Sequence, residues 1–83
     1  MYSIRILRRA QKELASIPTN SYQKLKAALE NLAVTPRPQG CTKLVGRPGW
    51  RLRVGDFRIV YEVDDAAQTV IVLHIGNRRD VYR

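Results

Sequence analysis

Trp50-Arg51-Leu52-Arg53-Val54-Gly55-Asp56-Phe57-Arg58-Ile59-Val60-Tyr61-Glu62-Val63 decides the fold of this chain. Trp50 to Val54 alternates apolar and basic residues, the period of a half-buried strand. Gly55-Asp56 is a two-residue turn signal, and Phe57 to Val63 reads as the return strand. A two-residue loop leaves one register. Val54 then faces Phe57, Arg53 faces Arg58, Leu52 faces Ile59 and Arg51 faces Val60. Because side chains alternate across a strand, Trp50, Leu52, Val54, Phe57, Ile59, Tyr61 and Val63 share a core face. Arg51, Arg53, Arg58, Val60 and Glu62 share the other.

Beyond the hairpin, Asp64 to Ala67 reads as a second turn, and its paired acids as turn chemistry rather than a metal site. Thr69 to Ile75 is a third strand, interrupted by Gly76. Asn77 to Tyr82 is a short basic tail that adds a last strand or a loop. Upstream, Tyr2 to Ile6 reads as a short first strand. From Arg8 the period becomes helical through Ala10, Leu14 and Ile17, and Pro18 stops that helix. Thr19 or Asn20 is the expected N-cap of a second helix. Its apolar stripe is Tyr22, Leu25, Leu29 and Leu32, joined by Ala28 and Ala33, and the run from Thr35 to Gly40 ends it. One strand, a helical hairpin that packs as a layer over a sheet, and a meander make an α+β pattern.

The 83 residues suit one domain spanning 1–83. Fifteen Lys plus Arg against seven Asp plus Glu give a net charge of +8, and the pI is near 10.4. So strong a positive field selects polyanionic partners: nucleic acid, an acidic protein segment or an anionic membrane surface. No apolar run is long enough to span a bilayer and no signal-peptide pattern opens the chain, so the expectation is a cytoplasmic protein with no membrane partner. A single cysteine, Cys41, and a single histidine, His74, argue against a structural zinc site.

Like charges directly opposite on a ladder destabilise it, so Arg53 across from Arg58, with Arg51 two residues away, is a poor choice for stability alone. A phosphate held by forked hydrogen bonds would relieve the repulsion. The competing reading is a solvated basic face. Strand parity puts His74 on the side of Val70 and Val72, where a lone histidine reads as structural. Tyr82 offers a ring to stack on an unpaired base.

Gly55 to Asp65 resembles the central hairpin of the RelE/ParE superfamily of toxins, and Ile75-Gly76-Asn77-Arg78-Arg79-Asp80-Val81-Tyr82 resembles their C-terminal motif. Lys43-Leu44 with Gly46 fits the stretch that connects to the hairpin. The resemblance covers essentially the whole chain. It implies a microbial-ribonuclease-like, RelE-like α+β fold, with the N-terminal strand and helical hairpin packed on one side of a twisted antiparallel β-sheet, and a toxin neutralised by a cognate RelB-like antitoxin that wraps it. For RelE-type members it implies an endoribonuclease (an mRNA interferase) that needs no metal or cofactor and cuts mRNA in the ribosomal A site, inhibiting translation. Carried over by position, the catalytic set is Arg51, Arg53, Arg58, Arg78 and Tyr82. Lys43, Arg79 and Arg83 are the expected RNA contacts. The chain departs from the pattern in carrying Arg51 and Arg53 where the best-known member has lysines, which leaves the general base open. Asn77 also stands where many relatives carry His or Lys. The alternative within the superfamily is a ParE-like inhibitor of DNA gyrase without nuclease activity, and a third reading is an RNA-binding module with no turnover.

Overall fold

A computed structural model describes residues 1–77 of the chain. Its elements run β1 (Ser3–Ile6), α1 (Arg8–Ala15), α2 (Thr19–Val34), β2 (Thr42–Lys43), β3 (Trp50–Val54), β4 (Phe57–Asp64) and β5 (Thr69–Asn77). The strands form one sheet in the order β1-β5-β4-β3-β2. β2 to β5 pair antiparallel, and β1 joins β5 in parallel, with Ile4 beside Val70 and Ile6 beside Val72. The α+β class and the helical hairpin on a sheet are as the sequence predicts.

The β3–β4 hairpin carries the expected register, from Trp50 opposite Tyr61 to Val54 opposite Phe57. Gly55 has φ +60°, the sign that a type II′ turn demands at its first central position. The next turn is held by the Asp64 carboxylate, which accepts the Ala67 N–H at 3.0 Å.

One cluster makes the core. Ala10 from α1 and Leu25, Leu29 and Leu32 from α2 pack on Ile59 and Tyr61 of β4 and on Val70, Val72 and Ile75 of β5. Tyr61 is fully buried, and its hydroxyl donates to the Pro36 carbonyl at 2.8 Å. That bond ties the loop after α2 to the centre of the sheet. Burial, with the Cys41 thiol beside it, holds this phenol well above the usual tyrosine range.

Four local expectations are corrected. α1 ends at Ala15 rather than running to Pro18. The residues before a proline are pushed out of the α region, and Ser16 and Ile17 instead close tighter turns onto Glu13 and Leu14. Neither Thr19 nor Asn20 caps α2: Pro18 occupies the cap position and its carbonyl accepts the Tyr22 N–H at 2.8 Å. Tyr22, expected in the buried stripe, is exposed at the α2 end of a cleft near β1. Gly76 does not break the last strand, because β5 runs on to Asn77 with Gly76 paired to Arg58. The tail from Arg78 lies outside the described residues.

Asp65 ties three distant segments together. It accepts the Tyr2 hydroxyl at 2.6 Å, and the Arg37 guanidinium at 3.3 and 2.8 Å. These bonds, Arg37 first and Tyr2 second, lower the Asp65 pKa. A depressed carboxylate contributes stability that is complete above its unfolded pKa, roughly 4, and is lost as pH falls through the folded value. Thermal melts of the wild-type chain and of Asp65→Asn should therefore converge as pH drops below about 4. In the core, Leu32→Ala should cost about 2–5 kcal/mol in urea unfolding, since Leu32 is fully buried under the sheet.

Candidate functional site

The face of the sheet opposite the core is where the arginines gather. Arg53 stands across from Arg58, and Arg51 across from Val60. The first pair continues to Gly76 on β5, and the second continues to His74 on β5 and to Thr42 on β2. A glycine beside Arg58 puts no side chain on its β5 flank. Arg51, Leu52, Arg53 and Arg58 line a depression of about 370 Å³, completed by Gln39, Gly40 and Thr42. Arg53 is exposed, Arg51 is half-buried, and Arg58 keeps 4% of its surface. Arg58 thus belongs to the floor of the depression, while Arg53 belongs to its rim.

The rim from Gln39 to Thr42 is not foreseen from the sequence, where Thr35 to Gly40 reads only as a helix end. Two residues of pairing, Thr42 with Arg51 and Lys43 with Trp50, bring that loop to the site. The same pairing sets Lys43 apart from the arginines. Opposite Trp50 it takes the helix-side face, with its ammonium 5.6 Å from the indole centroid. Arg37 lies 5.5 Å from the same ring. Arg78, Arg79, Tyr82 and Arg83 lie outside the described residues.

His74 is not where strand parity puts it. The pairing of β4 with β5 is regular from Asp64 to Tyr61, opposite Thr69 to Val72, then skips Leu73 and resumes with Val60 opposite His74. This β-bulge inserts one residue and reverses the parity beyond it. Val72 and Ile75, three apart, both enter the core, and His74 turns to the arginine face. Its Nδ1 lies 2.7 Å from Oε2 of Glu13 on α1. The other carboxylate oxygen of Glu13 accepts the Ile75 N–H at 2.9 Å. Arg9 approaches the same carboxylate, its Nε 3.4 Å from Oε2. No local pattern announces this contact, whose partners lie at opposite ends of the chain. Among the described residues, no three His, Cys, Asp or Glu side chains come together as a metal site would need.

A helical hairpin on one face of a five-stranded sheet, with arginines on the other, defines the class: a small toxin of the RelE/ParE superfamily from a type II toxin–antitoxin system. Residues 4–82 match the family model described as the ParE toxin of the type II toxin–antitoxin system parDE, and the chain belongs to that family. Toxin RelG of Mycobacterium tuberculosis is 28% identical, over 99% of this chain and 97% of that one. The isolated E. coli RelE toxin superposes with a TM-score of 0.83 at 29% identity, over 99% of this chain and 92% of that one. The toxin of the intact E. coli RelBE toxin–antitoxin complex gives a TM-score of 0.82 at 28% identity, over 93% of this chain and 96% of that one. Within the superfamily the chain is a RelE-like type II toxin. No helix among the described residues is long and apolar enough to cross a membrane.

The opposed guanidiniums have a measurable consequence for stability. Arg53 sits directly across from Arg58 on the ladder, and relieving like-charge opposition is worth roughly 0.2–1 kcal/mol. Arg53→Thr should therefore raise the unfolding free energy by about that amount in low-salt urea titrations. The gain should shrink as added salt screens the pair.

Proposed function

We propose that this toxin is a ribosome-dependent, metal-independent endoribonuclease that cleaves mRNA in the ribosomal A site and so inhibits translation. The observation that carries the reading is the convergence of Arg51, Arg53 and Arg58 on one depression of the sheet. RNA is cut without a metal when its own 2′-hydroxyl attacks the adjacent phosphorus. The protein must then orient the attack in line and stabilise the charge gathering on the phosphoryl oxygens. Fixed guanidiniums supply that electrostatic stabilisation with little reorganisation. Arg58, on the floor, clamps the scissile phosphate, and Arg51 and Arg53 bind its developing charge from β3. Arg78 stabilises the leaving 5′-oxygen. Tyr82 stacks on the substrate or assists proton transfer from the 2′-hydroxyl. Arg79 and Arg83 extend the RNA contact, and Lys43 extends the basic surface around the β2 edge. The ribosome presents the message in a reactive geometry, a contribution of proximity that a small open site cannot make alone. The partners in this reading are the ribosome with its mRNA and a RelB-like antitoxin, as in the RelBE complex to which the chain is similar. The setting is the cytoplasm.

One observation favours a second reading. The matching family model is that of the ParE toxins, and a ParE-like chain would inhibit DNA gyrase and leave RNA intact. The filled arginine set weighs against it. Purified toxin added to translating ribosomes, with mapping of mRNA 3′ ends, separates the two. Cleavage at A-site codons is expected; blocked gyrase supercoiling with intact message would reverse the conclusion. Within the nuclease reading, Arg58→Ala and Tyr82→Ala should each abolish growth arrest and lower A-site cleavage by roughly 10²–10³-fold. Full toxicity in both variants would remove the assignment.

A further inference from the structure

In the nuclease reading the arginine cluster holds a phosphate, but guanidiniums keep their protons and make poor bases at neutral pH. His74 is the one side chain of this sequence whose ordinary pKa lies near neutrality. We infer that the Glu13–His74 pair is the proton-transfer device of this site, with His74 as a catalytic general base and Glu13 as the residue that positions it. The inference rests on the nuclease reading above and names the base that reading leaves open.

Three observations carry it. The first is the face. The bulge at Leu73 turns His74 onto the side of Arg51, Val60 and Arg58, opposite Val60 and diagonal to Arg58. Diagonal neighbours on antiparallel strands lie about 7–8 Å apart, within reach of one phosphodiester gripped by long side chains. Bulges of this kind are found beside active sites, where they re-aim a side chain.

The second is the orientation of the ring. Glu13 is held from two sides, by the Ile75 N–H at 2.9 Å and by Arg9, whose Nε is 3.4 Å away. Its Oε2 lies 2.7 Å from Nδ1 of His74, an ion-pair contact whose angle falls outside hydrogen-bond geometry. A carboxylate that close to one ring nitrogen favours a proton there and leaves the lone pair on Nε2. The third is access. Nδ1 is sealed from solvent, yet the side chain keeps 21% of its surface. Glu13 contacts the ring and Arg9 contacts Glu13; by register Arg58 on β4 is diagonal to His74, and Arg51 on β3 lies one strand further.

The step balances without another reactant. Nε2 takes the proton of the 2′-hydroxyl, and the 2′-oxygen forms its bond to phosphorus. The bond from phosphorus to the 5′-oxygen breaks, and its electron pair leaves with that oxygen, which takes a proton from solvent. A 2′,3′-cyclic phosphate and a 5′-hydroxyl remain, and the imidazolium returns its proton to solvent. A positioned base contributes about 10²–10⁴-fold to such a step.

Single-turnover cleavage on programmed ribosomes between pH 5.5 and 8.5 tests the pair. His74→Gln should slow cleavage by at least about 10²-fold and flatten the acid limb of the pH profile. Glu13→Gln should slow it by about 10- to 100-fold while keeping a limb set by the histidine. Melting curves confirm that both variants fold, and 15N chemical shifts of His74 in the wild-type chain give a readout that needs no variant. A neutral Nδ1–H tautomer is expected there, and a neutral Nε2–H tautomer would overturn the assignment. A wild-type chain that leaves mRNA intact would overturn the nuclease reading and this inference together. A cleaving wild type with His74→Gln unchanged in rate and pH profile would overturn this inference alone.

Discussion

The arginine face depends on the bend at Gly55-Asp56. A loop of two residues offers one pairing, and with a side-chain period of two a slip of β3 by a single residue would send Arg51 and Arg53 into the core, away from Arg58, and Leu52 and Val54 into water. The hydrophobic effect and the turn geometry therefore select the same register. Neither the core nor the arginine cluster can be altered without the other. A positively charged face survives in so small a body because the opposite face of the same strands is committed to Leu25, Leu29 and Leu32 of α2.

The hairpin was legible because every determinant is local. Gly55, Asp56 and the alternation on either side are contiguous, and each residue's face follows by counting. The helices were legible for the same reason in their interiors, and less so at their ends. There Pro18 takes the cap position that Thr19 or Asn20 would fill by propensity, since a fixed φ and a free carbonyl start the helix without a side chain. Gly76 read as an interruption because propensity penalises glycine in a strand. Its partner across the ladder is Arg58, a residue that gains from having no side chain on that flank.

What counting could not reach is whatever depends on partners far away in sequence. Parity assigned His74 to the core face, and the assignment fails at one residue, Leu73, whose insertion shows only in the pairing of β4 with β5. The burial of Val72 and Ile75 requires the bulge, because a regular strand cannot bury positions three apart on one face. Glu13 was equally invisible: between arginines on α1 it looks like an ordinary solvated acid. Its partners are the Ile75 N–H and His74. The rim loop from Gln39 to Thr42 reaches the site through only two residues of strand pairing.

These features divide the labour of the sheet. β3 and β4 supply charge that is costly to assemble, since Arg53 and Arg58 repel one another on the ladder, and an anionic ligand is the natural complement of that cost. β5 supplies an irregularity that its own hydrophobic pattern enforces. β1 stops at Ile6, so the β1 side of β5 is left open near Ile75, and α1 fills the gap with a carboxylate that satisfies an otherwise orphaned backbone N–H. A group needed to close the sheet edge is thereby placed against the imidazole of His74. The placement of that carboxylate follows from the demands of backbone hydrogen bonding, and the chemistry open to the site follows from the placement.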